Sequence, residues 1–235
     1  MNEAKTPTLM SFAGLDELSE AITKMALAKI LQGISTRGIF HLALTGGGVG
    51  GVVTRELVSQ WNDHPEQYAG LHLWWGDERF LPAGDEERNA TVLLESLNEN
   101  SPIHLHQILS SDSGLSLSVA GERYATDITG INMDLTLLGV GADGHVASIF
   151  PGRSAGEPND DIFAVSNAPK NPPERISFSM AKINSSDVVW LMAAGASKRG
   201  VVAQILAHDL SIPATLVHGK LETRLFVDFE STVIE

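Results

Sequence analysis

Residues 39–51 read I-F-H-L-A-L-T-G-G-G-V-G-G, a short apolar run that ends in a glycine-rich segment. An apolar run of this length closed by glycines is typical of a buried strand. Apolar residues then recur at three- and four-residue steps from Val49 to Trp61, which predicts a helix. Strand, glycine loop and helix in this order are the first unit of a βαβ architecture.

The rest of the chain repeats this alternation of helical spacing and short apolar runs. Predicted helices cover 15–35, 88–97, 115–128 and 198–208, and predicted strands cover 71–75, 133–138, 162–165, 175–179, 188–192, 214–217 and 225–227. This order predicts an α/β, Rossmann-like fold whose mostly parallel sheet is covered by helices on both faces, with a small additional β-containing elaboration. No stretch has the composition of a linker, so one domain over 1–235 is expected, and the proline-rich segment 168–173 is predicted to be an exposed loop.

Composition narrows the classes of partner. The 235 residues carry a formal net charge of -13, which disfavours nucleic acid and anionic membranes as partners. The chain has no cysteine, so it has neither a thiolate nucleophile nor a disulfide. The first residues lack the basic-then-apolar pattern of a signal peptide, and no apolar stretch is long enough to span a membrane. We therefore expect a cytoplasmic protein with no obligate protein partner.

The glycine loop is the first candidate binding site. In open α/β sheets, ligands bind beyond the carboxyl ends of the strands, so residues that follow predicted strands are candidates. Gly46, Gly47 and Gly48 let a ligand approach the backbone, and the helix that follows offers free N–H groups to an anion such as phosphate. Residues 46–51 also match the dinucleotide pattern G-x-G-x-x-G, but so do residues 139–144, and Asp77 lies too far on for the usual ribose contact.

Charged residues follow the next predicted strand. Arg79 is a candidate for a forked contact with phosphate, and Asp77 or Glu78 is a candidate acceptor for sugar hydroxyls. The alternative is a solvated loop in which these charges pair with one another.

The segment G-V-G-A-D-G-H at 139–145 contains the candidate base. His145 follows a glycine turn at a strand end, with Asp143 two residues before it. If His145 begins a short helix, the helix dipole lowers its pKa and keeps the imidazole neutral, as a general base requires. The alternative is a histidine that only stabilises its loop.

The segment G-A-S-K-R at 195–199 places cations after a fourth strand. Ser197 is predicted to cap the next helix, which puts Lys198 and Arg199 in its first turn, where the dipole disfavours positive charge unless an anion is bound. Lys198 is the stronger candidate, and Arg199 and His218 are weaker ones.

The sequence gives little support for a serine nucleophile, a nucleotide phosphate loop or a metal site. The chain lacks the nucleophile elbow G-x-S-x-G and the phosphate loop G-x-x-x-x-G-K-[ST]. His104 and His106 suggest a metal, but no neighbouring carboxylate or third histidine in the sequence completes a site, so they are assigned to an exposed segment before a strand and no metal is expected.

Four motifs together resemble the 6-phosphogluconolactonase family. They are L-T-G-G-G at 44–48, W-W-G-D-E-R-F-L-P at 74–82, L-G-V-G-A-D-G-H-V-A-S-I-F-P-G at 138–152 and G-A-S-K at 195–198. The match spans nearly the whole chain, and the segment from Asp143 to Pro151 is its most specific part.

The resemblance implies a fold of the sugar-isomerase and CoA-transferase type. It also implies hydrolysis of 6-phospho-D-glucono-1,5-lactone in the pentose phosphate pathway, without cofactor or metal. His145 would be the base, supported by Asp143; Asp77 would lie near the sugar; and the phosphate would be held by Gly47, Arg79 and Lys198.

Some positions depart from the family pattern, and two other functions stay open. Gly48 and Gly51 replace a serine and a proline of the usual loop S-G-G-S-T-P, and Arg88-Asn89 replaces a more usual Ser-Asn. An aminosugar-phosphate deaminase or isomerase would share the fold and an analogous D-G-H. A non-catalytic sugar-phosphate sensor would bind the same ligand class without turnover.

Overall fold

The computed structural model describes residues 6–157 and 159–232, which form two sheets with helices around them. Its strands are β1 (Thr8–Phe12), β2 (Phe40–Leu44), β3 (Leu71–Trp75), β4 (Asp77–Arg79), β5 (His104–Leu105), β6 (Leu135–Gly139), β7 (Ile162–Val165), β8 (Arg175–Phe178), β9 (Val188–Ala193) and β10 (Glu222–Asp228). Its helices are α1 (Leu15–Arg37), α2 (Gly47–Asp63), α3 (Asn89–Leu94), α4 (Leu117–Ile128), α5 (Met180–Asn184), α6 (Arg199–Leu206), α7 (Pro213–Leu216) and α8 (Phe229–Thr232). None of these helices is long and apolar enough to cross a membrane.

The larger sheet has seven strands in the order β1-β10-β9-β6-β2-β3-β5, and all of its pairings are parallel. The smaller sheet has the antiparallel order β4-β8-β7. Both findings confirm the predicted α/β class, with a mostly parallel sheet and a small β-containing elaboration.

Helices cover both faces of the larger sheet at its centre. Successive residues of a strand point to opposite faces, so a strand buried at every position must be covered on both sides. Leu137 and Leu138 in β6 are both almost fully buried, as are Trp190 and Leu191 in β9. The near-continuous apolar runs in the sequence therefore reflect two-sided burial.

Several elements of the sequence prediction need correction. Residues 214–217, predicted as a strand, form the short helix α7, because Pro213 presets the backbone angle at its first turn and four apolar residues alone do not distinguish strand from helix. Strands β1 and β4 were not predicted, because five and three residues with polar neighbours carry too little apolar signal.

The segment around His104 is itself the edge strand β5, not an exposed stretch before a strand. His104 pairs in register with His72, which pairs with His41 on β2, so three imidazoles lie side by side across the sheet. Nδ1 of His72 lies 2.9 Å from Nε2 of His106. Burial, followed by neighbouring imidazoles, lowers the pKa of His41 and of His72 to about 4, so these two side chains are neutral near pH 7. In the described ranges, no group of three or more histidines and carboxylates is arranged to hold a metal ion.

Candidate active site

A pocket of about 410 Å³ lies beyond the carboxyl ends of strands of the larger sheet. Thr45 follows β2, Val140 follows β6 and Ala194 follows β9, and all three line it. Asp77 and Arg79, which follow β3, line it as well. The pocket is therefore at the edge of the sheet that the strand order of a parallel α/β fold predicts.

His145 and Asp143 form a hydrogen-bonded pair at this pocket. His145 lines the pocket, and its Nδ1 lies 2.5 Å from Oδ1 of Asp143. Because an ionised carboxylate can only accept hydrogen bonds, Nδ1 carries the proton and Nε2 keeps its lone pair. The imidazole is thus oriented by Asp143 and has a basic nitrogen available for a ligand or water.

Burial keeps this histidine neutral. Burial lowers the pKa of His145 below its ordinary 6.5, although the hydrogen bond and charge of Asp143 act in the opposite direction. Burial raises the pKa of Asp143, but His145 and Lys170 outweigh that effect and lower it to about 2. Near pH 7, Asp143 is therefore a carboxylate and His145 is a neutral base.

No helix begins at His145, so the condition for a helix-dipole effect on its pKa is not met. Val146 instead forms isolated bridges with Val140 and Ile149, and the loop is irregular. The pKa of His145 is lowered by burial and not by a helix dipole.

Gly141 is required for the close approach of this pair. A Cβ atom placed on Gly141 would lie 1.9 Å from Nδ1 of His145 and 2.6 Å from Oδ1 of Asp143. Both distances are far below van der Waals contact. The second glycine of G-V-G-A-D-G-H thus leaves room for the catalytic candidates themselves.

The glycine loop forms part of the wall of the same pocket. Gly46 precedes α2, Gly47 begins it with a φ of 79°, and Gly48 lies in its first turn, which has no acidic residue. The first N–H groups of a helix lack acceptors within the helix, so this end attracts anions. A Cβ on Gly46 would lie 1.8 Å from Oδ1 of Asn89, so Asn89 packs directly against the loop.

Four cations line the same pocket: Arg79, Lys170, Arg175 and Lys198. Nε of Arg79 is buried without a hydrogen-bond partner, while its Nη1 donates to the carbonyl of Glu87. Burial, followed by the positive charge of Lys170, lowers the pKa of Lys198. In a chain with a net charge of -13, a local excess of positive charge indicates an anionic ligand.

Lys170 is a site residue that the sequence reasoning missed. Its Nζ lies 3.1 Å from Oδ1 of Asp143 and 3.3 Å from Nδ1 of His145. Arg175 fixes the loop that carries it, since its guanidinium donates to the carbonyls of Lys170, Asn171 and Pro172. Prolines correctly predicted a loop here, but only the fold brings that loop over the pocket.

Three weaker candidates do not reach the pocket. Both carboxylate oxygens of Glu78 accept backbone N–H groups, from residues 79, 89 and 90, so this buried side chain stabilises the start of α3. Arg199 donates to the carbonyl of Glu230, and the backbone N–H of His218 donates to Asn184. Neither residue lines the pocket.

Two further expectations are resolved by these contacts. Ser197 does not cap α6; it lies inside a single 3-10 turn, Ala196–Lys198, that precedes the helix and follows Gly195 at a φ of 91°. Arg88 is buried, donates to the carbonyls of Leu81 and Ile108, and does not line the main pocket. Its departure from the family pattern therefore affects packing beside the site.

Comparison with known proteins identifies relatives along most of the chain. A family model described as glucosamine-6-phosphate isomerases/6-phosphogluconolactonase matches residues 14–226. A 6-phosphogluconolactonase of Streptomyces coelicolor is 33% identical over 241 residues, which cover 95% of this chain and 92% of the relative. A 6-phosphogluconolactonase of Mycobacterium tuberculosis is 32% identical over 233 residues, which cover 92% of this chain and 94% of the relative.

Solved structures agree with the sequence relatives. The 6-phosphogluconolactonase of Trypanosoma brucei superposes with a TM-score of 0.82 at 25% identity, over 96% of this chain and 97% of that one. A monomeric glucosamine-6-phosphate deaminase superposes with a TM-score of 0.77 at 19% identity, over 95% of this chain and 98% of that one, a likeness of fold alone. The chain therefore belongs to the family of glucosamine-6-phosphate isomerases and 6-phosphogluconolactonases.

Proposed function

We propose that this protein hydrolyses 6-phospho-D-glucono-1,5-lactone to 6-phosphogluconate, the second step of the oxidative pentose phosphate pathway. The observation that carries the proposal is a neutral histidine base, oriented by Asp143, in the same pocket as four cations. The relatives from Streptomyces coelicolor and Mycobacterium tuberculosis, both named 6-phosphogluconolactonase, support the same reaction.

The cations and the glycine loop would hold the phosphate. Arg79 offers its guanidinium, Lys198 offers an ammonium, and the first turn of α2 offers backbone N–H groups at Gly47 and Gly48. A phosphate held by these groups would keep the lactone ring in the pocket that His145 also lines. Asp77, which also lines the pocket, would accept a hydrogen bond from a sugar hydroxyl.

In the proposed hydrolysis, His145 carries out both proton transfers. His145 takes a proton through Nε2 from a water molecule whose oxygen attacks C1, and the carbonyl oxygen becomes an oxyanion. The intermediate collapses with cleavage of the bond between C1 and the ring oxygen. The imidazolium returns its proton to that oxygen, which becomes the hydroxyl on C5, and the carboxylic acid releases a proton to solvent. Asp143 stabilises the imidazolium between the two steps.

The decisive substrate experiment generates the 1,5-lactone in situ and follows its disappearance with the purified protein. We expect loss of the lactone well above the spontaneous rate, and no ammonia from glucosamine 6-phosphate. Ammonia release would favour the deaminase. Stabilisation of the protein by 6-phosphogluconate without lactone turnover would favour a non-catalytic sensor.

We expect Lys198→Met to weaken phosphate binding. It keeps the aliphatic stem but removes the charge, so KM for the phosphorylated lactone should rise by about tenfold or more while kcat changes much less. Hydrolysis of unphosphorylated glucono-1,5-lactone should be unaffected. That result would show that the rise in KM comes from a lost contact with the phosphate. Lys220→Met is the matched control, because Lys220 is exposed and contacts Asn132 away from the pocket. An unchanged KM in the Lys198 variant would remove Lys198 from the phosphate site.

A further inference from the structure

Ser148 lies directly behind the pocket wall. Its side chain is 1% exposed, and its Oγ donates to Oδ2 of Asp77 at 2.7 Å. Asp77 lines the pocket, whereas Ser148 does not. Ser148 therefore reaches the Asp77 carboxylate from the protein side and cannot itself touch a ligand in the pocket.

The position of Ser148 is fixed by the smaller sheet. Its backbone N–H donates to Oγ of Ser177 on β8 at 3.1 Å, and the hydroxyl of Ser177 donates to the carbonyl of Phe178 at 2.9 Å. Each hydroxyl has one proton to donate, so the proton of Ser177 is used by Phe178 and that of Ser148 by Asp77. The contact joins the loop that carries His145 to β4, which carries Asp77.

The two oxygens of the Asp77 carboxylate have different surroundings. Oδ2 receives the short hydrogen bond from Ser148. Oδ1 lies 3.4 Å from Nδ2 of Asn89, whose better hydrogen bond, 2.8 Å, goes to the backbone carbonyl of Asp77. Oδ1 thus keeps acceptor capacity for a ligand. The terminal torsion of an aspartate is soft, so the Ser148 contact decides where Oδ1 points.

We propose that Ser148 is a positioning residue that fixes the Asp77 carboxylate so that Oδ1 accepts a hydrogen bond from a hydroxyl of the sugar ring. The inference rests on the proposed lactone hydrolysis with Asp77 beside the sugar. Ser148 follows His145 by three residues and lies in the segment from Asp143 to Pro151, the most specific part of the resemblance. Ser148 acts on substrate affinity and takes no part in proton transfer.

The test compares Ser148→Ala, Asp77→Asn and the double variant in lactone hydrolysis. A hydroxyl contact made equally in the ground and transition states affects KM, so Ser148→Ala should raise KM by about tenfold and change kcat by less than about threefold. The Kd for 6-phosphogluconate, measured by calorimetry, should rise in parallel. In the Asp77→Asn background, the Ser148 substitution should have little further effect, because the two residues act as one unit.

Ser179→Ala is the matched control for a merely structural loss. Ser179 is equally buried, but it caps α5 and does not contact the pocket, so its removal should lower Tm without changing KM. If Ser148→Ala does not fold, Ser148→Cys fills the site and keeps a weaker donor, and it should raise KM by a smaller factor.

An unchanged KM in Ser148→Ala, or a KM effect that is undiminished in the Asp77→Asn background, would overturn the inference. Absence of lactone hydrolysis by the wild type would instead overturn the proposed function, so the two failures are distinct.

Discussion

We expect His145→Ala to lower kcat for lactone hydrolysis by about a thousandfold, the scale of a lost general base. The alanine variant has no group to accept the proton of the attacking water or to return it to the ring oxygen. The cations that hold the phosphate remain, so the Kd for 6-phosphogluconate should change by no more than about threefold. Progress curves of the 1,5-lactone, corrected for spontaneous hydrolysis, measure the first effect, and calorimetry measures the second.

His218→Ala is the matched control for this substitution. His218 is half-buried, contacts Asn184 and Leu216, and does not line the pocket. Its kinetics should equal those of the wild type. If His145→Ala kept more than about a tenth of wild-type kcat, His145 would not be the base.

The second large effect is expected from Gly141→Ala, which adds one methyl group against the imidazole of His145. The new Cβ would overlap Nδ1 and Cε1 of His145, at 1.9 and 2.1 Å, so the ring must move away from Asp143. A displacement of about 1 Å costs roughly a hundredfold in rate when it misplaces a catalytic group. We therefore expect kcat to fall by about a hundredfold, with Tm lowered only modestly because the ring can move into the open pocket.

Gly200→Ala is the corresponding control. Gly200 lies in α6, and a Cβ there meets no atom within 4 Å. Since alanine favours a helix over glycine, this variant should be as active as the wild type and at least as stable. A Gly141→Ala variant with wild-type kcat would show that the His145–Asp143 contact is not needed for turnover.

The fold was predictable where burial imposes a simple pattern on the chain. Strands β2, β6 and β9 are buried on both faces, so their sequences are continuous apolar runs. β4 was not predictable, because Asp77 and Arg79 line the pocket and the residue between them, Glu78, is buried and accepts three backbone hydrogen bonds. Neither a place in the pocket wall nor hydrogen bonding at the start of α3 produces the alternating apolar pattern by which a strand is recognised.

The site was predictable where it follows a glycine-closed strand. Three of the predicted site residues, His145, Gly46 and Arg79, line the pocket, because the carboxyl ends of parallel strands lie at one edge of the sheet. The sequence did not predict Lys170 as a site residue, because it lies on a loop before the antiparallel strand β8 and 27 residues separate it from Asp143, which it contacts. A lysine among prolines has no local signature that distinguishes a pocket residue from a solvated one.

The most direct test of the central claim is the pH dependence of kcat/KM for wild type and His145→Ala. The base must be neutral, and burial lowers the pKa of His145 below 6.5, so activity is complete above that lowered pKa and is lost as the pH falls through it. The substrate phosphate also titrates at about pH 6, which changes kcat/KM of both proteins in the same way. The ratio of the two profiles therefore shows the titration of His145 alone. We predict a ratio that is constant at and above about pH 7 and falls with a midpoint below 6.5. A ratio that does not change between about pH 5 and pH 8 would contradict the assignment of a neutral His145 as the base.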